Sequence, residues 1–449
     1  MMSLAEAALA IQAVTAGADV SFDGVSTDSR TIGKGELFVA IRGERFDGHD
    51  FLAAARERGA AAALVDQRQG AKAPLPRLIA DDTRRALGRL GRHWRLRFAP
   101  AVIAITGSNG KTTTKEMLAA ILRRHAGDAG ALATRGNLNT DIGVPLTLLE
   151  LRAPHRYCAV ELGMNHPGEI AGLAELARPT VALVNNAQRE HLEFMRSVEA
   201  VAAENASVFD VLPADGIAVL NADDPLADLF RQRAGRRKRI EFGIAAGDLS
   251  ARYSLRPLES EIIVRTPSGE AAATLAIPGL QNVRNALAAA ACAHAVGIGP
   301  AAIGDGLAAF RPNAGRMQVK RLASGATLID DSYNANPDSV RAAIDVLAAL
   351  PAPTALVLGD MGEVGEQGPQ FHAEVGRYAR DKGVGILLAL GTATPDAVKA
   401  FGNDGRHFDQ IEELTEKAKE ARTILVKGSR FMKMERVVAA LVGEKVVAH

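Results

Sequence analysis

The stretch AVIAITGSNGKTT, residues 101–113, decides the fold, because it passes from a buried strand through a glycine-rich turn into a helix. Its first five residues are all apolar, which is typical of a buried strand in a parallel sheet. Gly107 and Gly110 let the backbone turn tightly and point N–H groups at phosphate oxygens, and the helix that follows adds a favourable dipole. Lys111 can then reach the β- and γ-phosphates, and the Thr112 hydroxyl can hold Mg²⁺. The stretch therefore predicts a nucleoside triphosphate site.

The spacing of this loop differs from the common pattern G-x-x-x-x-G-K-[ST], since position 105 is Ile and the first glycine stands at 107. A Gly-Lys-Thr triplet alone is common in ordinary turns, so the strand–loop–helix context carries the prediction. The helix has one apolar face, formed by Met117, Leu118, Ile121 and Leu122. The predicted nucleotide-binding residues of the loop are Gly107, Ser108, Asn109, Gly110, Lys111, Thr112 and Thr113.

Further apolar runs alternate with helical segments along the chain, which is the pattern of an α/β layer fold. These runs lie at 158–162, 181–184, 217–220, 328–329, 355–358, 386–390 and 424–426. The segment 251–277 alternates residue by residue instead, and predicts a small antiparallel patch. Changes in the pattern divide the chain into three predicted domains, 1–98, 99–312 and 313–449, joined by short hinges.

The composition is that of an ordinary globular protein, with 47% hydrophobic and 23% charged residues. A formal net charge of +1 gives no electrostatic reason to bind nucleic acid or an anionic membrane, so we expect neither partner. The basic run 231–239 is expected to be a solvated loop. Cys158 and Cys292 lie in apolar stretches and are expected to be buried, reduced thiols. Because the N-terminus also lacks the features of a signal peptide, we expect a cytoplasmic protein.

Polar residues follow the ends of successive predicted strands in the central block. Glu161 ends the second of these strands, Asn185, Asn186 and His191 follow the third, and residues 221–224 follow the fourth. The carboxyl ends of parallel strands meet at one edge of an open sheet, where such folds place their sites. A carboxylate and an imidazole beside a triphosphate suit a divalent ion that neutralises charge during transfer. Each residue alone also fits an ordinary loop position, and only their repetition favours a site.

At these residues the chain resembles a known family, the ATP-dependent Mur ligases, over nearly its whole length. The matching stretches are 26–30, 37–40 and 47–51 in the first block, 106–113, 136–139 and 142–145 in the central block, and 330–339, 358–363 and 426–430 in the third. The stretch 330–339, DDSYNANPDS, resembles most specifically the members that add D-alanyl-D-alanine.

The resemblance implies three α/β domains: an N-terminal UDP-sugar-binding domain, a central P-loop ATPase-like domain with a parallel sheet, and a C-terminal Rossmann-like domain. It implies ligation of D-alanyl-D-alanine to UDP-N-acetylmuramoyl-tripeptide in peptidoglycan synthesis, with ATP and Mg²⁺. The tripeptide carboxylate would take the γ-phosphate of ATP, and the dipeptide amine would then displace phosphate from the acyl phosphate. Since Lys111 and Arg316 lie in different domains, the domains would have to close for catalysis.

The resemblance also implies roles for individual residues. The expected catalytic residues are Lys111, Glu161 and His191, and the expected metal ligands are Thr112, Glu161 and His191. Outside the phosphate loop, the expected ATP-binding residues are Asn282 and Asn285 on the adenine side, with Arg316 and Asp331 from the third domain. The expected substrate-binding residues are Thr27, Ser29, Arg30, Asn137, Asn139, Thr140, Tyr333, Asn334 and Asn336.

One position departs from the family pattern. Many Mur ligases carry a lysine fourteen residues after the metal-binding His, carbamylated by CO₂ so that it helps to hold a second Mg²⁺. Counting from His191 gives Asn205, and no lysine occurs in the range 116–237. We therefore expect activity to be independent of bicarbonate, with Asn205, the neighbouring Glu204 or water at the second metal. Ser197 is the predicted N-cap of the helix that carries both residues.

Two alternatives stay open on the sequence alone. A ligase that adds another amino acid or polyglutamate would share the loop and the domains, although the stretch 330–339 argues against it. A nucleotide-binding regulator without ligase chemistry would share the loop, although the complete set of site residues argues against that. The tripeptide could end in meso-diaminopimelate or in L-lysine. A monomer is the working expectation, although no sequence feature reports the oligomeric state.

Overall fold

The structure is a computed structural model that describes residues 1–44, 46–68 and 74–443. Three groups of elements follow one another along the chain, and each is built on its own sheet or sheets. We call them the first, central and third units, and the α/β fold class is as predicted. The predicted domain boundaries fall between these units and stay predictions. No helix in the described ranges is long and apolar enough to cross a membrane.

The first unit packs three helices on a small mixed sheet. Its elements are β1 (Met2–Ser3), α1 (Leu4–Ile11), β2 (Val14–Ala16), β3 (Ser21–Phe22), β4 (Val25–Ser26), β5 (Leu37–Val39), α2 (Leu52–Glu57), β6 (Ala62–Asp66), β7 (Arg77–Ala80) and α3 (Thr83–Arg95). The five-stranded sheet has the order β2-β7-β6-β5-β4, in which only β2 is antiparallel to its neighbour. Asp82 caps α3 by accepting two backbone N–H groups of its first turn. Leu87, Leu90 and Trp94 form the buried face of this helix.

The central unit carries the phosphate loop on a six-stranded parallel sheet. Its elements are β8 (Ala101–Thr106), α4 (Lys111–Ala126), β9 (Ala131–Ala133), α5 (Gly143–Leu149), β10 (Tyr157–Glu161), α6 (Glu169–Ala177), β11 (Val181–Val184), α7 (Leu192–Met195), α8 (Val198–Ala206), β12 (Ile217–Asn221), α9 (Ala227–Ala234), β13 (Lys238–Phe242), β14 (Ser250–Leu255), β15 (Ser260–Thr266), β16 (Gly269–Leu275), α10 (Leu280–Ala295) and α11 (Pro300–Ala309). The sheet order is β13-β12-β11-β8-β10-β9. Strands β14, β15 and β16 form a separate antiparallel sheet, which confirms the predicted patch.

Two strands of the central sheet differ from the sequence-based expectation. Because β9 precedes β10, Glu161 ends the third strand of the unit along the chain and not the second. The run 231–239 is wrongly predicted as a loop, since it contains the end of α9 and the start of β13. Lys238 is exposed while Ile240 and Phe242 are buried, so β13 is an edge strand with its charges in water and its apolar residues on the core.

The third unit is an open, mostly parallel sheet with helices on both faces. Its elements are β17 (Gln318–Arg321), β18 (Thr327–Asp331), α12 (Pro337–Ala348), β19 (Thr354–Gly359), α13 (Gly368–Asp381), β20 (Ile386–Leu390), α14 (Pro395–Phe401), β21 (Gly405–Phe408), α15 (Ile411–Ala418), β22 (Thr423–Lys427) and α16 (Glu435–Val442). The order is β17-β18-β22-β19-β20-β21, and only β17 runs antiparallel. The sheet separates two apolar cores, one under α12 and α13 and one under α15 and α16.

Both neighbouring units pack against the central one. The Trp94 side chain of α3 donates through Nε1 to the carbonyl of Leu151 at 3.0 Å, which fixes the first unit on the central unit. On the other side, Asn313 donates to the Glu116 carboxylate of α4 at 3.1 Å, and Asn336 of the third unit donates to Asn109 of the phosphate loop at 2.9 Å. The phosphate loop therefore faces a space that all three units enclose.

Candidate active site

The phosphate loop connects β8 to α4 and depends on two glycines. Gly107 has φ +128° and Gly110 has φ +82°, conformations that L side chains rarely adopt. A Cβ on Gly110 would lie only 2.1 Å from Oδ1 of Asn285, and one on Gly107 would lie 3.0 Å from the backbone nitrogen of Asn186. Other parts of the central unit therefore pack directly against the back of the loop, and only glycine fits at these two positions.

Asparagine side chains hold the loop residue Asn109 from two units. Its backbone N–H donates to Asn186 Oδ1 at 2.8 Å, and its carbonyl accepts from the amides of Asn185 and Asn186. From the third unit, Asn336 donates to Asn109 Oδ1 at 2.9 Å. The loop is thereby fixed both to the strand end behind it and to the unit that faces it.

Lys111 is paired with a carboxylate that the sequence-based prediction missed. Its Nζ lies 3.1 Å from Glu190 Oε1 and also donates to the carbonyl of Ser108 at 3.0 Å. Glu190 is buried. The only signal in the sequence was its position immediately before His191, a predicted site residue, after the end of β11.

Glu161 offers a free oxygen for a cation. Its Oε1 accepts from Asn139 Nδ2 at 2.9 Å and from Thr112 Oγ1 at 3.2 Å. Its Oε2 is buried and has no hydrogen-bond partner among the described residues. An orphaned buried carboxylate oxygen is costly unless a cation or donor meets it. One carboxylate and one hydroxyl beside a triphosphate suit Mg²⁺, which completes its coordination with phosphate oxygens and water. Thr112 and Glu161 therefore fit the implied metal.

His191 lies in the same cavity but between two carboxylates. Its Nδ1 is 2.7 Å from Glu363 Oε2, and its Nε2 is 3.6 Å from Glu190 Oε1. The close imidazole lowers the pKa of the Glu363 carboxyl below its usual value, against the opposing effect of burial. His191 has φ +52°, a strained backbone of the kind that clusters at functional sites. In the described ranges, no three His, Cys, Asp or Glu side chains converge closely enough to hold a metal by themselves.

Arg316 extends from the third unit towards the phosphate loop. Its guanidinium stacks on the Tyr333 ring at 4.0 Å, and its Nη2 lies 3.5 Å from Thr112 Oγ1. Asp331 lies behind it, buried, and accepts from the Lys427 ammonium at 2.6 Å. Two cationic side chains thus lie on the third unit's side of the loop, in positions that suit a polyanionic ligand.

One cavity of about 1270 Å³ brings most of the predicted site residues together. The predicted residues that line it are Ser108, Asn109, Gly110, Lys111, Thr112, Asn137, Asn139, Thr140, Glu161, His191, Arg316, Tyr333, Asn334 and Asn336. Its wall on the first unit consists of Glu44, Asp82, Arg84, Arg85, Gly88 and Arg89, none of which the sequence-based prediction named. The three arginines come from the first two turns of α3, where the sequence shows only a helix N-terminus.

The remaining predicted residues lie outside this cavity. Gly107, Thr113, Asn282, Asn285 and Asp331 lie behind or beside the loop, and Thr27, Ser29 and Arg30 lie elsewhere on the first unit. Both adenine-side asparagines are buried in α10, where they bond to each other and to Pro278 and Asn185. The exposed Arg30 guanidinium pairs with Asp28 at 2.7 Å and lowers the pKa of that carboxyl. Ligand roles for these eight residues stay predictions.

The structure shows what the residues at the position of the missing lysine contact. Ser197 caps α8 as predicted, by accepting from the backbone of Ala200. Asn205, buried in this helix, accepts the Gly107 N–H at 2.9 Å through Oδ1, so it supports the phosphate loop. The Glu204 carboxylate accepts the backbone N–H groups of Gly168 and Ile170 at the start of α6. Glu204 is thus engaged at the start of α6, and its use in place of a carbamate stays a prediction.

The fold and the cavity together define a class of protein: a phosphate-loop nucleotide-binding protein whose three α/β units meet around one site. Three family models match the chain, one in each unit. They are described as Mur ligase family, catalytic domain (residues 21–95), Mur ligase middle domain (residues 105–293) and Mur ligase, glutamate ligase domain (residues 315–430). The chain belongs to the Mur ligase family of ATP-dependent ligases.

Similar proteins align over almost the whole chain. It is 42% identical over 434 residues, 95% of each chain, to the UDP-N-acetylmuramoyl-tripeptide–D-alanyl-D-alanine ligase of Escherichia coli (strain K12). The ligase of the same name from Bacillus subtilis (strain 168) is 33% identical over 448 residues, 93% of each chain. The crystal structure of MurF from Acinetobacter baumannii matches with a TM-score of 0.90 at 34% identity, over 98% of each chain. MurF ligase from Thermotoga maritima in complex with ADP matches with a TM-score of 0.81 at 26% identity, over 94% of this chain and 97% of that one.

Proposed function

We propose that this protein joins D-alanyl-D-alanine to UDP-N-acetylmuramoyl-tripeptide with ATP, and so makes a peptidoglycan precursor. The observation that carries the proposal is a shared cavity that is lined both by the phosphate-loop Lys111 and by Tyr333 and Asn334 of the third unit. A ligase of this kind must hold a nucleotide, an acceptor peptide and an amine together, and a cavity of about 1270 Å³ enclosed by three units suits three ligands.

The proposed chemistry has two steps. A carboxylate oxygen of the tripeptide attacks the γ-phosphorus of ATP, the bond to the β-phosphate oxygen breaks, and ADP leaves. The dipeptide amine then attacks the acyl carbon, loses a proton and displaces inorganic phosphate. Amide formation from a carboxylate in water is uphill, so the phosphoryl transfer drives it. The protein contributes mainly positioning and neutralisation of charge.

Each wall of the cavity has its own proposed role. Lys111 would leave Glu190 and pair with the β- and γ-phosphates of ATP. Thr112 and Glu161 would hold the Mg²⁺ that neutralises the transferred group, and Asn139, bonded to Glu161, would keep that carboxylate turned towards the metal. Arg316 would meet the phosphates from the third unit.

Of the three third-unit residues expected to bind substrate, Tyr333 and Asn334 are better candidates than Asn336 for direct contact with D-alanyl-D-alanine. The Asn334 Oδ1 accepts from the backbone of Ala335 at 2.9 Å, which leaves its amide to donate to a ligand carboxylate. Asn336 is committed to the protein, because it caps α12 through Ser339 and bonds to Asn109. Its contribution to dipeptide binding would therefore be indirect.

We also propose the domain limits 1–98, 99–312 and 313–449, a monomeric state and a cytoplasmic location. The supporting features are the three successive units, each built on its own sheet or sheets, and the two buried, unpaired cysteines, which suit a reducing compartment. UDP-N-acetylmuramoyl-tripeptide and D-alanyl-D-alanine are the proposed small-molecule partners.

The deciding assay measures ADP release with each substrate omitted in turn. The proposal requires release that depends on both the UDP-tripeptide and D-alanyl-D-alanine. Release with glutamate or another amino acid in place of the dipeptide would favour the related ligases, and nucleotide binding without any turnover would favour a regulator. A panel of tripeptides that end in meso-diaminopimelate or L-lysine then identifies the natural acceptor.

Lys111→Ala tests the phosphate role within the same assay. We expect ligation to be abolished while the affinity for UDP-tripeptide stays close to wild type, because the nucleotide and the UDP group contact different units. Lys238→Ala, on the exposed edge strand β13, is the matched control. Turnover of Lys111→Ala within about tenfold of wild type, roughly 1.4 kcal/mol of barrier, would contradict the role.

A further inference from the structure

Four consecutive residues after β11, Gln188 to His191, contact two different units in alternation. Gln188 accepts from the Asn109 amide at 2.6 Å and Glu190 pairs with Lys111, so both contact the phosphate loop. Arg189 and His191 contact the third unit instead, the latter through Glu363. We call residues 188–191 the coupling segment. The two residues on either side of Arg189, Gln188 and Glu190, therefore both contact the phosphate loop.

Arg189 forms the strongest of these contacts. Its guanidinium donates to Asp338 at 2.6 Å and to Glu374 at 2.7 Å, and its backbone N–H donates to Asp338 at 3.0 Å. The guanidinium also lies 5.0 Å from the centre of the Phe371 ring. The three charged side chains are only 21%, 24% and 27% exposed. Arg341 donates to the same Glu374, so two cations and two anions form one continuous chain of ion pairs.

One partner of Arg189, Asp338, lies on a helix that is itself tied to the phosphate loop. Asp338 lies in the first turn of α12, and the N-cap of that helix is Asn336, which bonds to Asn109. The start of α12 is therefore held at two points, by Arg189 and by the loop. A shift of the third unit away from the central unit would break both contacts and would pull on the residues at either side of Arg189.

We propose that Arg189 is a positioning residue that couples docking of the third unit to the placement of Lys111. While Asp338 and Glu374 hold Arg189, the coupling segment holds Glu190 where it positions Lys111 before the phosphates bind and keeps Gln188 beside Asn109, so undocking of the third unit would loosen both contacts. The inference rests on the proposed ligase function for its kinetic consequences. An arginine suits the role because its rigid fork binds two carboxylates at once, which a lysine cannot reproduce.

The principal test is Arg189→Ala in the full-length protein, with the double variant Asp338→Asn, Glu374→Gln as the complementary change. We expect each to lower kcat by about tenfold or more, because small misplacements of a catalytic group are that costly. The dissociation constant for ADP should stay within about twofold, since the loop can still bind the nucleotide on the central unit alone. Combining all three substitutions should lower kcat no further than either change alone, and Arg189→Lys should recover part of the loss.

Arg231→Ala is a matched control. Arg231 also bridges two carboxylates, Asp228 and Glu241, both at 2.7 Å, but entirely within the central unit. Its loss should leave kcat within about twofold of wild type while removing a two-carboxylate ion bridge of similar distances, although a more exposed one.

Hydrogen exchange provides a readout that does not depend on turnover. In Arg189→Ala we expect the amides of 107–111 to exchange about tenfold faster, as the local opening free energy falls by about 1.4 kcal/mol. Faster exchange confined to α12, multiplicative effects of the two changes on kcat, or a loss of ADP affinity equal to the loss of kcat would each overturn the coupling. Wild-type protein that turns over neither proposed substrate would instead refute the ligase function. The hydrogen-exchange result would still show whether Arg189 couples the third unit to the phosphate loop.

Discussion

Asn205→Ala tests whether this buried amide supports the phosphate loop. Asn205 is only 1% exposed, and its side chain accepts the Gly107 N–H at 2.9 Å and donates to the Val201 carbonyl at 3.0 Å. Alanine leaves the Gly107 N–H buried without its acceptor, which costs about 1–3 kcal/mol. For a unit of this size, each kcal/mol corresponds to a fall in the melting temperature of about 2–4 °C. We therefore expect lower thermal stability together with a higher KM for ATP.

A second variant separates the acceptor from the amide. Asn205→Asp keeps an oxygen for the Gly107 N–H, so it should lose less stability than the alanine variant. It also places a negative charge beside a loop that must bind phosphates, so it should raise the KM for ATP more. Thermal unfolding and initial rates at varied ATP measure both effects. Unchanged stability and unchanged ATP dependence in Asn205→Ala would refute the supporting role.

The initial-rate assay also tests whether turnover depends on bicarbonate. Since Asn205 cannot be carbamylated and its amide is bonded to the loop and to its own helix, wild-type turnover should be the same with and without added bicarbonate. Strong activation by bicarbonate would show that another group in the cavity carries a carbamate, and would defeat this expectation even if Asn205 supports the loop.

Three further predictions concern single side chains. Asn334→Ala should raise the KM for D-alanyl-D-alanine more than the KM for ATP. Asn336→Ala should instead remove a helix cap, which destabilises the protein by about 0.5–2 kcal/mol, and should raise the KM for ATP because Asn109 loses a hydrogen bond. Steady-state kinetics and urea unfolding compare the two variants. The Arg189 hydrogen bonds lower the pKa of Glu374 to about 2, from 4.5. The stabilisation from its ionised form is complete above pH 4.5 and is lost as the pH falls towards 2, so acidification from pH 5 to 3 should destabilise wild type more than Glu374→Gln, by about 1 kcal/mol after solvent screening. Burial raises the pKa of the Cys158 thiol to about 12, so iodoacetamide should not modify this residue in the folded protein at pH 8, and unfolding should expose it.

The sequence predicted those parts of the fold that have a local pattern. The apolar run before Gly107 predicted β8, and similar runs predicted β10, β11 and β12, because a strand covered on both faces is apolar throughout. Strands β9 and β13 lack that signal. The first is three residues long, and the second lies at the sheet edge, where Lys238 and Arg239 face water. A basic segment of this kind looks the same in sequence whether it is a loop or an edge strand.

The candidate site was predictable where a motif contributes it and not where long-range contacts do. Lys111 and Thr112 belong to a motif whose chemistry explains its spacing. Glu190 and Arg189 have no such motif, and Arg189 meets Asp338 across 149 positions of sequence. Glu204 illustrates a second limit, because one residue along a helix turns a side chain by about 100° and thus decides which neighbour it meets.

The neutral amides around the phosphate loop suggest why the loop is built as it is. Asn185 and Asn186 bond to the backbone of Asn109 and Asn205 bonds to that of Gly107, so three amide side chains fix the backbone of a short turn, and Asn336 holds the Asn109 side chain. An amide carries both a donor and an acceptor, so it can satisfy the N–H and C=O groups that tight turns leave unpaired. It also brings no net charge, whereas a carboxylate there would repel phosphates and an ammonium would compete with Lys111. Among the described residues, the charged partner of the loop lysine is Glu190, which lies on the coupling segment, where movement of the third unit can change its position.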